Sequence, residues 1–356
     1  MNRKRIADYG IRVGNMERGA LNKITDVPGV RVGHATISDA AHHTGVTVIL
    51  PCEDNMFARK LTAASFVLNG FGKTQGLVQV DELGTLETPI ALTNTLNVGK
   101  VHDALVSWMA ERCARDRVQM HSINPVVGEC NDALLNAIED RPVCAAHVRQ
   151  ALEEACADFD EGDVGAGAGT VCHGLKGGIG SASRLLSVAG KTYTLGVLVQ
   201  SNHGCLEELT VCGRRLGEEI IAQRRMRPAP EPNDRGSIMM IVATDLPVSD
   251  RQLRRIIKRC SVGLARCGSY FGHGSGDVMI GFTTANRVPH GGMHRVITQQ
   301  MLTEHTLEFA FRAVAEATQE AVLNSLCCAD DVCAANGTVY EGIGRYLGGF
   351  GRCGLR

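Results

Sequence analysis

Ser237 stands where a single residue can supply both a nucleophile and a base. The preceding segment, RRMRPAPEPNDRG, is charged and rich in proline, whereas SIMMIVATD after it has the apolar and β-branched residues of a buried strand. If the bond between Gly236 and Ser237 is cut, Ser237 becomes an N-terminus with a hydroxyl and a free α-amine. An α-amine has an unperturbed pKa of about 7.7–8.0, so it accepts a proton near neutral pH, where a lysine mostly does not.

Two further segments carry side chains that could assist a nucleophilic serine. Ser275 and Asp277 are two residues apart in GHGSGD, at the mouth of the apolar segment VMIGF, and in an extended chain they share one face. Such a pair can orient an amine or relay a proton, although Ser-Gly-Asp is also a common turn. Asn202 follows LGVLVQ, where its amide could donate to a developing oxyanion or simply form a turn.

Other chemistries fit the residue spacing less well. GAGAGT at residues 165–170 lacks the third glycine of the dinucleotide fingerprint, and GHGSGD at residues 272–277 lacks the Gly-Lys-Ser/Thr of a phosphate loop. Lys176 in HGLKGGIGS fails the phosphate-loop spacing as well. His203 and His273 could serve a serine triad, but no G-x-S-x-G elbow surrounds any serine.

Composition excludes several classes of partner. A net charge of −1 and an aromatic content of 4% argue against nucleic acid and against an anionic membrane surface. No stretch approaches the roughly 20 apolar residues that span a bilayer, and no secretory signal is present, so we expect a cytoplasmic protein. The 14 cysteines match no disulfide scaffold. Cys327, Cys328 and Cys333, or the pair His42 and His43, lack the spacing of a structural zinc site.

The elements that must position these side chains are strands alternating with long helices. The strand candidates are GVRVGHATI, TGVTVILP, ASFVLNGFG, TYTLGVLVQSNHG, SIMMIVATD and GDVMIGFTTAN. Apolar spacing predicts helices over residues 101–117, 141–159, 251–268 and 305–328, with Ser249 as an N-cap, and the glycine-rich residues 162–184 are expected to form a loop.

The apolar runs MMIVAT and LGVLVQ have no polar face, which indicates strands that are covered on both sides. The chain is therefore expected to be a layered α/β protein, with sheets packed together and helices outside. No boundary between independently folding domains is visible. The proline-rich segment before Ser237 is interpreted as a processing loop, because both of its flanks are expected to be strands of one core.

Taken together and in order, these segments resemble the L-aminopeptidase/D-amidase-esterase family, whose members include the bacterial β-peptidyl aminopeptidases. The resemblance covers most of residues 1–325, and the glycine-rich tail is outside it. The segments that carry it are ITDVPGVRVGHAT, TGVTVILP, VLNGFGKTQGLVQVDELGTLETPIALTNTLNVG, NPVVGECND, GDVGAGAGTVCHGLKGGIGSASR, TYTLGVLVQSNHG, GSIMMIVATDLP and GSGDVMIGFTTAN.

The resemblance implies a self-cleaving serine hydrolase with an αββα sandwich of the N-terminal-nucleophile type. It implies a single catalytic domain over residues 1–356, processed into an α chain of residues 1–236 and a β chain of residues 237–356. Gly236 would precede the cut and Ser237 would be the nucleophile. The resemblance further implies a homo-oligomer, a tetramer or larger, of such α/β pairs, with neither a metal nor an organic cofactor.

The remaining site residues also follow from the resemblance. Ser275 matches the family's second serine, and Asn202 matches its asparagine on the oxyanion side. Asp277 stands where the family often has Glu, so the charge is kept on a shorter side chain. Some members carry a tyrosine in a pattern like Asn-Asp-Gly-Tyr-Leu, but this chain reads Asn-Asp-Ala-Leu-Leu and has Leu134 at that position.

The expected activity is release of N-terminal amino acids from short peptides, amino-acid amides or esters, through an acyl-enzyme on Ser237. One alternative is an acyltransferase of the ornithine-acetyltransferase type, which shares the self-cleaving layout but uses threonine as its nucleophile. The other alternative is a small-molecule-binding protein in which Ser237 is inert and the chain stays whole.

Overall fold

A computed structural model of the chain describes residues 3–225, 236–291 and 296–348. Most of the proline-rich segment before Ser237, residues 226–235, and the end of the glycine-rich tail, residues 349–356, lie outside the described residues.

The strands of the described residues fall into two large sheets and two small hairpins. In chain order they are β1 (Arg31–Ser38), β2 (His43–Leu50), β3 (Arg59–Gly70), β4 (Thr85–Leu86), β5 (Ile90–Asn94), β6 (Val126–Cys130), β7 (Val171–Cys172), β8 (Leu175–Lys176), β9 (Ile179–Val188), β10 (Lys191–Asn202), β11 (Ser237–Thr244), β12 (Gly276–Pro289), β13 (Val332–Cys333) and β14 (Val339–Tyr340).

The helices flank the two large sheets. They are α1 (Leu77–Leu83), α2 (Val98–Arg115), α3 (Ala145–Glu153), α4 (Leu216–Arg224), α5 (Asp250–Ile257), α6 (Cys260–Ala265) and α7 (Leu307–Cys327). Helices α2 and α3 pack on the first sheet, whereas α5, α6 and α7 lie on the second sheet's side of the molecule.

Each large sheet mixes parallel and antiparallel pairs. The first sheet has four strands in the order β1-β2-β5-β6, and the second has six in the order β4-β3-β12-β11-β10-β9. Strand β11 runs antiparallel to β10 and parallel to β12, so the end of β10 meets the beginnings of β11 and β12 at one edge of the second sheet. Asn202, Ser237 and Gly276 therefore lie side by side.

An apolar layer joins the two sheets. Ile90 and Leu92 of the first sheet belong to the same buried cluster as Met239, Ile241 and other side chains of the second. A second cluster fills the opposite face of the six-stranded sheet, beneath α5, α6 and α7. Burial on both faces explains why residues 195–199 of β10 and 238–243 of β11 are continuous apolar runs. The architecture is four layers, helix–sheet–sheet–helix, as the sequence predicted.

Four expectations about local structure were wrong in detail. The segment at residues 162–184 is not simply a loop, because it contains the hairpin of β7 and β8 and the first half of β9. Its glycines serve close packing: a Cβ on Gly180 would lie 2.0 Å from the carbonyl oxygen of Ala321 in α7. The helix predicted over residues 141–159 ends at Glu153, because Cys156 pairs with Val32 of β1 in both directions at 3.0 Å.

The predicted helix over residues 251–268 is divided into α5 and α6. Ser249 caps α5 as expected, because its Oγ accepts the N–H of Gln252 at 3.2 Å. The direction changes after Ile257, and α6 then approaches α7 so closely that a Cβ on Gly263 would lie 2.6 Å from the carbonyl oxygen of Ala315.

The sequence suggested that the processing segment joins two strands directly. The structure shows a different connection. Its upstream flank is helix α4, whereas its downstream flank is β11. The strand on the upstream side is β10, which ends at Asn202 and pairs with β11 along the whole length of β11. Residues on the two sides of Gly236 thus share one sheet.

Candidate active site

Ser237 begins β11 and is held between two neighbouring strands. It is paired with Asn202 on β10 and with Gly276 on β12, and only 7% of its surface is exposed. The carbonyl oxygen of Gly236 accepts a hydrogen bond from the N–H of Gly276 at 3.0 Å. The peptide group before the serine is thereby fixed at its carbonyl end.

Two glycines leave the space that this arrangement needs. A Cβ on Gly236 would lie 2.0 Å from the carbonyl oxygen of Asn202, a distance that no real side chain tolerates. A Cβ on Gly276 would lie 2.7 Å from the carbonyl oxygen of Phe71 and 3.1 Å from the Oγ of Ser237. The nucleophile candidate therefore lies directly over a backbone position that has no side chain.

Ser275 and Asp277, the residues on either side of Gly276, lie close together. Both are fully buried, and the Ser275 hydroxyl donates to Asp277 Oδ1 at 2.6 Å. Asn69 on β3 donates from Nδ2 to the carbonyl oxygen of Ser275 at 2.6 Å, which anchors the approach to β12. Asp277 is paired with Ile238, so strand alternation directs its carboxylate to the face opposite the Ser237 side chain.

Asn202 ends β10 with an oriented amide. Its Oδ1 accepts the backbone N–H of Val171 at 2.9 Å. This bond assigns the oxygen and nitrogen of the amide, since only Oδ1 can accept, and it leaves Nδ2 as the donating end. Asn202 is 8% exposed and contributes to the same cavity as Ser237.

The cavity above Ser237 has a volume of about 860 Å³, which is ample for a short peptide. Ser275 and Asp277 are not among its lining residues. It is lined by Phe71, Lys73, Thr95, Glu129, Asn131, Leu134, Asn202, Gly236, Ser237, Tyr270, Gly272, His273 and Gly274.

Glu129 is the site residue that sequence reasoning missed. It lies near the end of β6 on the facing sheet and is 3% exposed. Its Oε1 accepts the backbone N–H of Lys73 at 2.9 Å, and its Oε2 accepts the hydroxyl of Thr95. A fixed carboxylate thus lines the cavity that contains Ser237. The only signal was the apolar run VVG before it, which is too short to identify a strand.

Leu134, at the position of the family tyrosine, lies at the rim of the cavity and is 59% exposed. Phe71 and Tyr270 are also exposed there and lie among the same lining residues. Part of the rim is therefore apolar, and no phenol hydroxyl is present at residue 134.

The two histidines considered for a triad take different positions. His273 lines the cavity, with its ring centroid 6.4 Å from that of Phe71. His203 is buried beside His173, and burial holds the pKa of its imidazole well below the ordinary 6.5, so the ring is neutral. Neither His203 nor Ser275 lines the cavity.

One cluster of metal-ligand types exists in the described part of the chain, and it was not among the sequence candidates. Ligand atoms of Cys172, His173 and His203 lie within 4.8 Å of one another, and all three residues are buried. The Nδ1 of His173 is hydrogen-bonded to the carbonyl oxygen of Cys205 at 3.0 Å. The cluster lies outside the cavity of Ser237.

The sequence profile of peptidase family S58 matches residues 22–340. The chain belongs to this family. A β-peptidyl aminopeptidase, BapA of Sphingosinicella xenopeptidilytica, is 36% identical over 344 residues, which cover 91% of this chain and 85% of that protein. The family resemblance inferred from the sequence is thereby confirmed, and the chain is a hydrolase of the peptidase class.

Solved structures agree along almost the whole chain. A β-aminopeptidase of a Burkholderia species is 40% identical with a TM-score of 0.90, covering 99% of this chain and 100% of that one. The L-aminopeptidase D-Ala-esterase/amidase of Ochrobactrum anthropi is 33% identical with a TM-score of 0.89, covering 96% of each chain. The Ochrobactrum structure is described as a variant of the Ntn hydrolase fold. This confirms the predicted fold class.

In the described parts of the S58 chain, none of the helices combines the length and the apolar character that crossing a membrane requires.

Proposed function

We propose that this chain is a serine aminopeptidase and amidase that activates itself by cutting the bond between Gly236 and Ser237. It would release N-terminal amino acids from short peptides, amino-acid amides or esters. The observation that carries the proposal is the position of Ser237, which is the first residue of a core strand, next to the amide of Asn202, in a cavity that also contains Glu129. The names of the relatives, a β-peptidyl aminopeptidase and an aminopeptidase/amidase, support it.

Self-cleavage begins with attack of Ser237 Oγ on the carbonyl carbon of Gly236. The hydrogen bond from the Gly276 N–H, at 3.0 Å, stabilises the negative charge that develops on the carbonyl oxygen. The C–N bond breaks, the nitrogen takes a proton, and an ester joins Gly236 to Ser237. Water then hydrolyses the ester, which leaves a carboxylate on Gly236 and a free amine on Ser237.

The liberated α-amine is the base for turnover. It removes the proton from Ser237 Oγ, directly or through Ser275 or a water, as Oγ attacks the substrate's carbonyl carbon. The Nδ2 of Asn202 donates to the resulting oxyanion, a contribution of roughly 3–4 kcal/mol for a well-placed donor. The leaving amine or alcohol takes the proton, and water releases the acyl group.

Two carboxylates are available to bind two different amines, the α-amine of Ser237 and the free amine of the substrate. Asp277 is bonded to Ser275 and directed away from the Ser237 side chain, which suits it to hold Ser275 and the new α-amine in place. Glu129 lines the cavity, so it is suited to bind the substrate's free ammonium group. A carboxylate at that point favours exopeptidase action, because an acylated amine has no charge to pair with it.

The two products of the cut would remain a single catalytic domain, with α chain 1–236 and β chain 237–356. Strands β9 and β10 from the first chain and β11 and β12 from the second form one continuous sheet. We also propose a homo-oligomer, because Val296 is 85% exposed and two other apolar side chains of the same short segment, Ile297 and Met301, are exposed as well. We further propose a cytoplasmic location, because the 14 cysteines match no disulfide scaffold.

The test is an intact-mass spectrum of the purified wild-type protein and of the variant Ser237→Ala. The wild type should give two chains that meet between residues 236 and 237, and the variant should give one uncut chain without amidase activity. Aminoacyl p-nitroanilides serve as first substrates. A wild-type chain that stays uncut and inactive after long incubation would contradict the proposal. An active Ser237→Ala protein would contradict it as well.

A further inference from the structure

Lys176 is a fully buried lysine that the proposed chemistry does not use. It ends β8, in the glycine-rich part of the chain, and none of its surface is exposed. Its ammonium donates to the carbonyl oxygens of Gly167 at 3.0 Å, Thr170 at 2.8 Å and Gly177 at 2.7 Å. Burying a cation is costly, so a site that surrounds one with three carbonyl groups calls for an explanation.

One of these carbonyls leads directly to the candidate oxyanion donor. The C=O of Thr170 and the N–H of Val171 belong to the same peptide group, which is planar. The ammonium of Lys176 donates to the oxygen of this peptide group. The N–H of the same peptide group donates to Asn202 Oδ1 at 2.9 Å. Asn202 also lines the cavity of Ser237, and Nδ2 is the donating end of its amide.

We propose that Lys176 is a positioning residue for the oxyanion site, acting through the peptide group of Thr170 and Val171 on the amide of Asn202. The ammonium fixes the orientation of that peptide group together with the N–H of Gly177, which donates to the same oxygen at 3.0 Å. It also polarises the two amides in series, and hydrogen bonds in such a chain strengthen one another. The final N–H of the chain, on Asn202 Nδ2, becomes a stronger donor to the negative oxygen of the transition state. This role rests on the proposed function of Asn202.

The surroundings of Lys176 supply little compensating charge. Asp163 and Asp132 favour the ammonium electrostatically, whereas Arg3 opposes it. Cys172 also favours the ammonium of Lys176 electrostatically. The pKa of His43 is lowered by burial and, to a smaller extent, by the charge of Lys176. Burial dominates these effects and lowers the pKa of Lys176 from 10.5 to about 7. The three carbonyl groups therefore hold a cation that loses its proton near neutral pH.

Activity and stability should respond to this proton in opposite directions. Above pH 7 the neutral amine has one hydrogen fewer and no charge, so kcat should fall on an alkaline limb. Between pH 7 and 10.5 the unfolded chain binds the proton at Lys176 more than the folded chain does, so the contribution of this group to stability rises with pH. Deprotonation of a purely structural lysine would not lower kcat over the pH range in which its contribution to stability rises.

The variant Lys176→Met tests the proposal because it keeps the length of the side chain and removes its charge and donors. Cleavage at Gly236 should still occur, since the Gly276 N–H serves that step. For turnover, kcat should fall about 10- to 100-fold with KM nearly unchanged, since a weakened oxyanion donor costs less than a deleted one. The alkaline limb of kcat should disappear, whereas the acidic limb, set by the Ser237 amine, should remain.

The matched control is Lys60→Met. Lys60 is ion-paired with the buried carboxylate of Glu87 and is not part of the cavity lining. This variant should lower Tm while both limbs of the pH profile and kcat stay as in the wild type. A Lys176→Met enzyme with kcat within twofold of wild type and an intact alkaline limb overturns the positioning role. The proposed function is tested separately: it fails if the wild type stays whole and inactive, or if Ser237→Ala is active.

A second measurement applies if Lys176→Met does not fold. The wild-type enzyme labelled with ¹³C at lysine Cε is titrated by NMR, and kcat is measured over the same pH range. The alkaline limb should coincide with the lysine signal that titrates near pH 7. An alkaline limb separated from that titration by more than one pH unit contradicts the proposal.

Discussion

The N–H of Gly276 donates to the carbonyl oxygen of Gly236 at 3.0 Å, so the peptide group proposed to break is held by the strand that follows Ser275. The same residue lies under the nucleophile, because a Cβ on Gly276 would lie 3.1 Å from Ser237 Oγ. One glycine would therefore both polarise the carbonyl group at the proposed cleavage site and leave room for the proposed nucleophile.

Gly276→Ala should slow self-cleavage at least about 10-fold, since the added methyl group crowds Oγ and moves the oxyanion donor away from Gly236. The rate is read from a time course of intact mass after refolding. Gly99→Ala is the control, because a Cβ at that helical position meets nothing within 4 Å. Equal cleavage rates in both variants would contradict the role of Gly276.

Glu129→Gln should weaken recognition of a free amine. Loss of a charge-assisted hydrogen bond costs about 1.5–3 kcal/mol, so kcat/KM for alanine p-nitroanilide should fall about 10- to 100-fold. Cleavage of the chain at Gly236 should be unaffected, since that step has no free ammonium in the cavity.

The substitution of Glu53, an exposed glutamate, by Gln gives the background value for losing a carboxylate. Comparison with N-acetyl-alanine p-nitroanilide gives the selectivity. If Glu129→Gln leaves the preference for the free amine unchanged, another group binds the ammonium.

The positions of Ser237, Ser275, Asp277 and Asn202 in the fold could be predicted because their signals are local. Ser237 stands at an abrupt change from a proline-rich to an apolar segment. The spacing of Ser275 and Asp277 predicts that they meet, and their side chains are hydrogen-bonded at 2.6 Å. Asn202 ends an apolar run, which places it at the edge of the sheet.

Residues whose roles depend on distant parts of the chain could not be predicted. Glu129 lies in a strand of only five residues. Its partner Thr95 is brought to it by the pairing of β5 with β6, and Lys73 by the bridge between Gln75 and Val127. Lys176 looks like an ordinary lysine in a glycine-rich segment until the backbone closes around it. The break after Ile257 was also invisible, because the apolar spacing continues through it and packing against α7 decides the direction.

Arg184 joins the two proposed chains through buried ion pairs. It belongs to the α chain and contacts two glutamates of α7 in the β chain, Glu316 at 3.3 Å and Glu320 at 2.7 Å. Removing one partner of a buried pair typically costs about 3–5 kcal/mol, because the remaining charge is left uncompensated. Arg184→Met should therefore lower Tm by several degrees.

Arg149→Met provides the comparison, since its ion pair with Glu111 is exposed to solvent and contributes little to stability. Differential scanning fluorimetry gives both Tm values, and size-exclusion chromatography in mild urea reports whether the cleaved chains separate. Similar Tm changes in the two variants would refute the contribution assigned to Arg184.

Acid sensitivity should arise in part from His203. Its folded pKa lies well below 6.5 because the ring is buried, whereas the unfolded chain binds the proton at about 6.5. The unfolded state therefore holds more protons below pH 6.5, and stability falls as the pH decreases, by at most about 1.4 kcal/mol per pH unit from this one group.

Urea unfolding of the uncut Ser237→Ala protein at pH 7 and pH 5 measures the slope of stability against pH. His203→Gln in that background should flatten it, whereas His121→Gln, at an exposed position, should leave it unchanged. A slope that is the same with and without His203 would assign the acid sensitivity to other groups.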